Sequence, residues 1–254
     1  MAEKHYNAAY LEDTARILND LKEYSYYPFK RINAGKLIDL GCGPGIDVIK
    51  MSQTFDEKVR IIGIDHDSNM LEKAKVSAAD ISNIDFILSE ANIIPFDDDS
   101  ISGVRAERLI QHLTNPEKTI QEVYRVLKED YPFVIVETDW AGLSFYNEFF
   151  QTGQKISRYL TEKKVNNGYA SRKVVSYLQN CNFRDIQLEI FPFVLKSLKE
   201  ANDYLWIEQV IKEAVIENFI SQREAKLFLK SIQEADEHNY FACSMNLVVI
   251  TSKK

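Results

Sequence analysis
Cysteine is scarce in this chain. Cys42, Cys181 and Cys243 are odd in number and far apart, which argues against a disulfide framework or a zinc site. Long apolar runs are missing: none approaches the roughly 20 residues a membrane-crossing helix needs. The opening MAEKHYNAAYLED is too polar and acidic for a signal peptide. A cytoplasmic location without membrane association is therefore expected. Basic residues are in the minority, 31 against 38 acidic, giving a net charge of −7 and a pI near 5.3. Broad nucleic-acid binding needs clustered Lys and Arg, so no nucleic-acid partner is expected. Gly/Ser linkers, repeats and low-complexity tracts are absent too. With 45% apolar residues, the 254 positions suffice for one domain with a sizeable core.

What the chain does have is the stretch LIDLGCGPGID, residues 37–47. A short apolar run leads through Gly41, Gly43 and Gly45 into a helical pattern. Strand, glycine turn and helix together form a nucleotide-type site, because missing side chains let a ligand approach the main chain. The spacing is G-x-G-x-G, whereas the dinucleotide fingerprint is G-x-G-x-x-G. Asp39, two residues before the first glycine, would repel a pyrophosphate but suits a ligand with an ammonium group. Twenty residues beyond Gly45, the run VRIIGID ends on Asp65, a carboxylate placed to accept two ribose hydroxyls. The aspartates at 97–99 read as a solvated turn, and no metal is expected.

Helical spacing marks residues 6–25, 45–54, 115–127, 142–164, 170–181, 198–214 and 221–236. Asn115 followed by Pro116 is a clear helix start, and Asp67 or Ser68 should cap the helix after Asp65. Strands are expected at 36–40, 59–65, 84–88, 101–106, 133–137, 183–193 and 240–251. Alternating strand and helix with a closing strand pair predicts an α/β, doubly wound sheet.

In Asp39–Gly45 the chain resembles motif I of the class I S-adenosylmethionine-dependent methyltransferases. DHDSNMLEKAK and SEANIIPFDDDSIS resemble the family segments after the second and third strands. RAERLIQHL and ETDW resemble a small-molecule branch of ubiquinone- and menaquinone-type and natural-product enzymes. The resemblance implies a Rossmann-like seven-stranded sheet with an antiparallel last strand. It makes residues 1–254 one methyltransferase domain, with core 30–140 and 168–254. Segments 142–164 and 198–236 would be helical lids, or else a dimer surface, so a monomer and a homodimer both stay open.

The cofactor would be S-adenosyl-L-methionine, with S-adenosyl-L-homocysteine as product. The resemblance puts Asp39, Gly41, Cys42, Gly43, Gly45, Asp65, His66, Met70, Glu90 and Ala91 around it. Glu90 would accept the adenine amino group. For Cys42 and Met70 plain packing is the alternative. Arg105 would meet the cofactor's carboxylate or a substrate, or else join a network with Glu107 and Arg108. His112 would be the catalytic base and Glu137 the acid beside it, a structural His112 being the other reading. Ser102 departs from the family's Asp, and residues 129–132 replace its Gly-Gly turn. The expected reaction is methylation of a small molecule, at oxygen by preference, with carbon or nitrogen open. The alternatives are a cofactor-binding protein without turnover and an NAD(P)-type oxidoreductase.

Overall fold
The computed structural model describes residues 18–254. Of the helix expected at 6–25, positions 6–17 lie outside the described residues, and α1 is Asn19–Tyr26. The strands are β1 (Gly35–Leu40), β2 (Val59–Asp65), β3 (Ile84–Leu88), β4 (Val104–Glu107), β5 (Pro132–Phe145), β6 (Arg184–Leu195) and β7 (Cys243–Lys253). Between them run α2 (Ile46–Thr54), α3 (Ser68–Ser77), α4 (Pro116–Val126), α5 (Phe150–Tyr159) and α6 (Ala170–Asn180). The remaining helices are α7 (Leu198–Leu205), α8 (Ile207–Ile216) and α9 (Gln222–Glu237).

The seven strands form one Rossmann-like sheet in the order β3-β2-β1-β4-β5-β7-β6. Strands β1 to β5 pair in parallel. Leu37, Ile38, Ile61, Ile64, Val134 and Ile135 are buried in it, as parallel strands covered on both faces require. The last strand runs antiparallel, as expected. Tyr131 and Lys254 meet in backbone bonding at one end, while Tyr146 N–H donates to Ala242 at the other.

The chain divides into two compact units. The first runs to Glu137 and includes Lys173–Glu189 and Val249–Lys254; the second is Thr138–Arg172 with Ile190–Val248. In the first, Asp67 caps α3 through the N–H groups of Asn69 and Met70, and Asn115 caps α4. In the second, Ser221 and Glu224 form a capping box on α9. Phe145 packs edge-on against Phe228 with ring centres 5.1 Å apart.

Four elements differ from the sequence reading. β4 begins at Val104 rather than Ile101, which makes only an isolated bridge to Leu127. β5 runs on to Phe145, through residues assigned to a helix: Leu143 and Phe145 are buried and Ser144 is exposed, an alternation of period two. The helix expected at 198–214 is two helices, because Trp206 adopts a left-handed conformation (φ 52°). There the Asn202 side chain accepts the Glu208 N–H, supporting the start of α8. The turn after α4, which lacks the family's glycines, is made by Asp130 at φ 69°, a conformation that Asp tolerates.

Candidate functional site
The carboxyl ends of the first five strands lie level. Leu40 pairs with Ile64 and Ala106, Asp65 with Leu88, and Glu107 with Val136. Strand order reverses beside β1, and at such a point open α/β sheets bind ligands.

The glycine loop follows β1 there. Gly41 and Cys42 both donate N–H to the Ile64 carbonyl, at 2.7 and 3.1 Å, which folds the loop over the end of β2. Gly43 (φ 51°) and Gly45 (φ 79°) are left-handed. A Cβ on Gly45 would come within 2.9 Å of Ala74 and Phe86, so the loop excludes other residues by backbone angle and by space. Cys42 is buried, and burial pushes its thiol well above the usual range.

Asp65 is the hinge of the arrangement. One carboxylate oxygen accepts the Gly43 N–H at 2.8 Å and the other the Asp67 N–H at 2.9 Å. The Asp65 carbonyl accepts from Ser89 N–H at 3.0 Å, tying in the segment after β3. Each carboxylate oxygen keeps a further lone pair, and 9% of the side chain faces solvent. A braced carboxylate beside a bare glycine loop suits a ligand with paired hydroxyls. His66 stands 3.4 Å from it with 72% of its side chain exposed. Met70 is half-buried, Glu90 is exposed and Ala91 half-buried on the neighbouring segment.

Asp39 and Arg105 belong to a buried ion cluster. Arg105 is fully buried and engaged at all three nitrogens: Nε donates to Ser25 Oγ at 2.8 Å, Nη1 to Asp39 at 2.9 Å, and Nη2 to Glu107, with Asp47 at 3.4 Å. Its guanidinium lies 5.1 Å from the Tyr26 ring centre. Lys22 pairs with both Asp47 and Glu107, and the Tyr26 hydroxyl donates to Asp47. The cluster thus joins α1 to the first turn of α2 and the end of β4. Burial raises the Asp39 carboxyl to about 7, against the pull of Arg105, its direct ion-pair partner, which also serves Asp47 and Glu107. Burial opposes ionisation of Asp47 and Glu107 as well, but Arg105 and Lys22 outweigh it and hold both low. Lys22 and Asp47 are not marked as site residues by the sequence, since partners on two helices and a strand leave no local pattern.

His112 ends a short 3₁₀ turn, Ile110–His112, and is half-buried with Nε2 3.0 Å from Gln111 Nε2. Glu137, fully buried on β5, reaches that turn through the backbone: Oε1 accepts the Ile110 N–H at 2.6 Å and the Gln111 N–H at 3.4 Å. Its Oε2 is buried without a hydrogen-bond partner among the described residues. Burial raises this carboxyl to about 8 despite those two bonds.

A family profile described as Methyltransferase domain matches residues 33–180. The chain belongs to that family. The match covers the glycine loop, Asp65, the segment after β3 and Glu137, and the resemblance read in those residues holds. Among curated relatives, an uncharacterized 37.1 kDa protein in transposon TN4556 of Streptomyces fradiae is 26% identical over 183 residues, 72% of this chain and 53% of that one. A demethylmenaquinone methyltransferase of Staphylococcus epidermidis is 29% identical over 115 residues, 45% of this chain and 48% of that one. The chain spans about half the length of these relatives. Phosphoethanolamine N-methyltransferase 2 of Haemonchus contortus, in complex with phosphomonomethylethanolamine and S-adenosylhomocysteine, shares the fold. Its TM-score is 0.59 at 17% identity, over 94% of this chain and 52% of that one. Among the described residues of this methyltransferase-family chain, no helix is long and apolar enough to cross a membrane.

Proposed function
We propose that this chain transfers a methyl group from S-adenosylmethionine to a small-molecule acceptor, oxygen being the favoured atom, and releases S-adenosylhomocysteine. The observation that carries this reading is the bracing of Asp65 by the N–H groups of Gly43 and Asp67 beside the glycine loop. Asp65 is the ribose acceptor in this reading. Gly41, Cys42, Gly43 and Gly45 form the backbone cradle. His66, Met70, Glu90 and Ala91, on the segments after β2 and β3, are assigned to the adenosine. Asp39, with its incompletely compensated carboxyl, is assigned to the cationic end; Arg105 acts through Asp39, each of its three nitrogens having a partner within the chain.

When bound, S-adenosylmethionine supplies a methyl already activated on a positively charged sulfur. The chain's remaining work is to align the acceptor and exclude water. A hydroxyl acceptor must also lose its proton, and His112 is assigned to take it. That assignment favours oxygen over carbon or nitrogen. Glu137 is assigned as a positioning residue, since it holds the turn that carries His112. Acceptor choice is assigned to the helical segments of the second unit. The three free, buried cysteines fit a reducing compartment, as the cytoplasm is.

Calorimetry with S-adenosylmethionine tests the assignment. Asp65→Ala should weaken binding by about 1–3 kcal/mol, because hydrogen bonds to a charged acceptor are lost. Equal affinity for wild type and variant would remove Asp65 from the ribose. Incubation with fractionated small-molecule extracts, read by mass spectrometry, then tests turnover. Binding without S-adenosylhomocysteine formation would leave a cofactor-holding protein.

A further inference from the structure
In the second unit, α8 and α9 border an open groove of about 690 Å³. On α9 the lining positions Gln222, Ala225, Lys226, Leu229, Lys230 and Gln233 recur at three- and four-residue spacing, with Leu227 beside them, over about 16 Å at 1.5 Å per residue. The apolar lining includes Ile211, Val215 and Leu229, while Ile216 and Leu227 expose 74% and 42% of their surfaces. Three lysines complete it, Lys212 from α8 and Lys226 and Lys230 from α9. Among the described residues no acidic one lines the groove, although the chain carries 38 of them against 31 basic residues. Lys230 has an exposed contact to Glu234 at 3.3 Å; Lys212 and Lys226 have no ion pair among the described residues.

We propose that this groove docks an acidic amphipathic helix of a partner protein. The charge distribution selects the occupant. Cations come from both helices, and Lys226 and Lys230 stand one turn apart, so the complement carries several negative charges spaced along its length. A single-headed amphiphile concentrates its charge at one end. A bilayer spreads its charge over a plane, whereas these lysines are confined to two neighbouring helices. A third helix with apolar residues at i, i+3, i+4 and i+7 fills such a seam and places flanking carboxylates beside the lysines.

The test titrates the full chain into a fluorescein-labelled peptide of about five turns, with leucine at those positions and glutamate elsewhere. Two controls share its length, one with lysine for every glutamate and one acidic with the leucines scrambled. Fluorescence anisotropy should show saturable binding of the first peptide, at least tenfold tighter than of either control and weakening as salt rises. The double variant Lys212→Glu, Lys226→Glu and the single variant Ile216→Ser should each lose at least tenfold. All three positions are exposed, so these changes leave the fold intact. The proposal fails if there is no saturable binding, if either control binds equally, or if the variants keep wild-type affinity. It also fails if the groove variants instead abolish binding to phosphatidylcholine/phosphatidylglycerol vesicles or self-association in sedimentation.

Discussion

Arg105→Met should cost the fold about 3–5 kcal/mol in urea unfolding, a large part of the 5–15 kcal/mol that a domain of this kind has. The side chain is fully buried, and its donors serve Ser25, Asp39 and Glu107, with Asp47 at 3.4 Å. Methionine fills comparable space but leaves three buried carboxylates to Lys22 and to Arg108, which lies 3.3 Å from Glu107. Removing one partner of a buried ion pair costs more than the pair contributed, because the survivors remain desolvated. The loss should also depend on pH. Without the guanidinium, the carboxyls hold their protons to higher pH when folded than when unfolded. The stability of the variant should therefore fall as pH rises from 5 to 8. Arg105→Lys should recover part of the loss, since an ammonium matches one carboxylate at a time and lacks the planar fork. A loss under about 1 kcal/mol for methionine would mean that the cluster relaxes or admits water, against its burial.

His112→Ala should lower kcat by about 10²-fold or more with little change in cofactor affinity, the pattern expected when a general base is removed. Glu137 separates the base from its support. Glu137→Gln keeps an oxygen to accept the Ile110 and Gln111 N–H groups, so kcat should fall less than in Glu137→Ala, which releases the turn. An unchanged kcat in His112→Ala would leave alignment alone to account for catalysis. Equal losses in the two Glu137 variants would reject a purely positioning role. Glu137 also makes a stability prediction that needs no acceptor. Burial holds its carboxyl at about 8, above the ordinary 4.5. Between those values the folded chain keeps a proton that the unfolded chain releases. Its contribution is therefore full below about pH 4.5 and is lost as pH rises to about 8. Glu137→Gln should show a flatter stability profile across this window and gain relative to wild type towards pH 9.

The parts of the fold legible in the sequence are those where local pattern and burial coincide. Ile84–Leu88 and Val59–Asp65 were bounded correctly because they are short apolar runs closed by turn residues. Asn115–Pro116 and Asp67 announce their helices through capping chemistry that acts within three residues. β5 was cut short because Thr138–Trp140 are buried polar and aromatic residues that break an apolar run without ending a strand. The loop Gly41–Gly45 and Asp65 stood out as candidates because a glycine turn and a strand-end acid have fixed spacing. Of the ion cluster, the network of Arg105, Glu107 and Arg108 was legible as charges crowded at a strand end; the share of Lys22 and Asp47 was not, since they meet Arg105 only after three elements have docked. Glu137 was visible as an acid at the end of an expected strand. Its hold on the 110–112 turn was not, because the acceptors and donors of a main chain leave no trace in residue type.

The division of the chain bears on how it can change by descent. Its four boundaries fall after Glu137, Arg172, Glu189 and Val248, and each lies inside a strand or helix rather than in a loop. Recombination succeeds where it joins exposed, irregular segments. A crossover that exchanged the second unit whole would need two inserted pieces and four junctions, each in the middle of a hydrogen-bonded element. The lineage of this chain is thereby steered away from swapping that unit as a block. Change within Thr138–Arg172 and Ile190–Val248 is then left to point substitution, one side chain at a time.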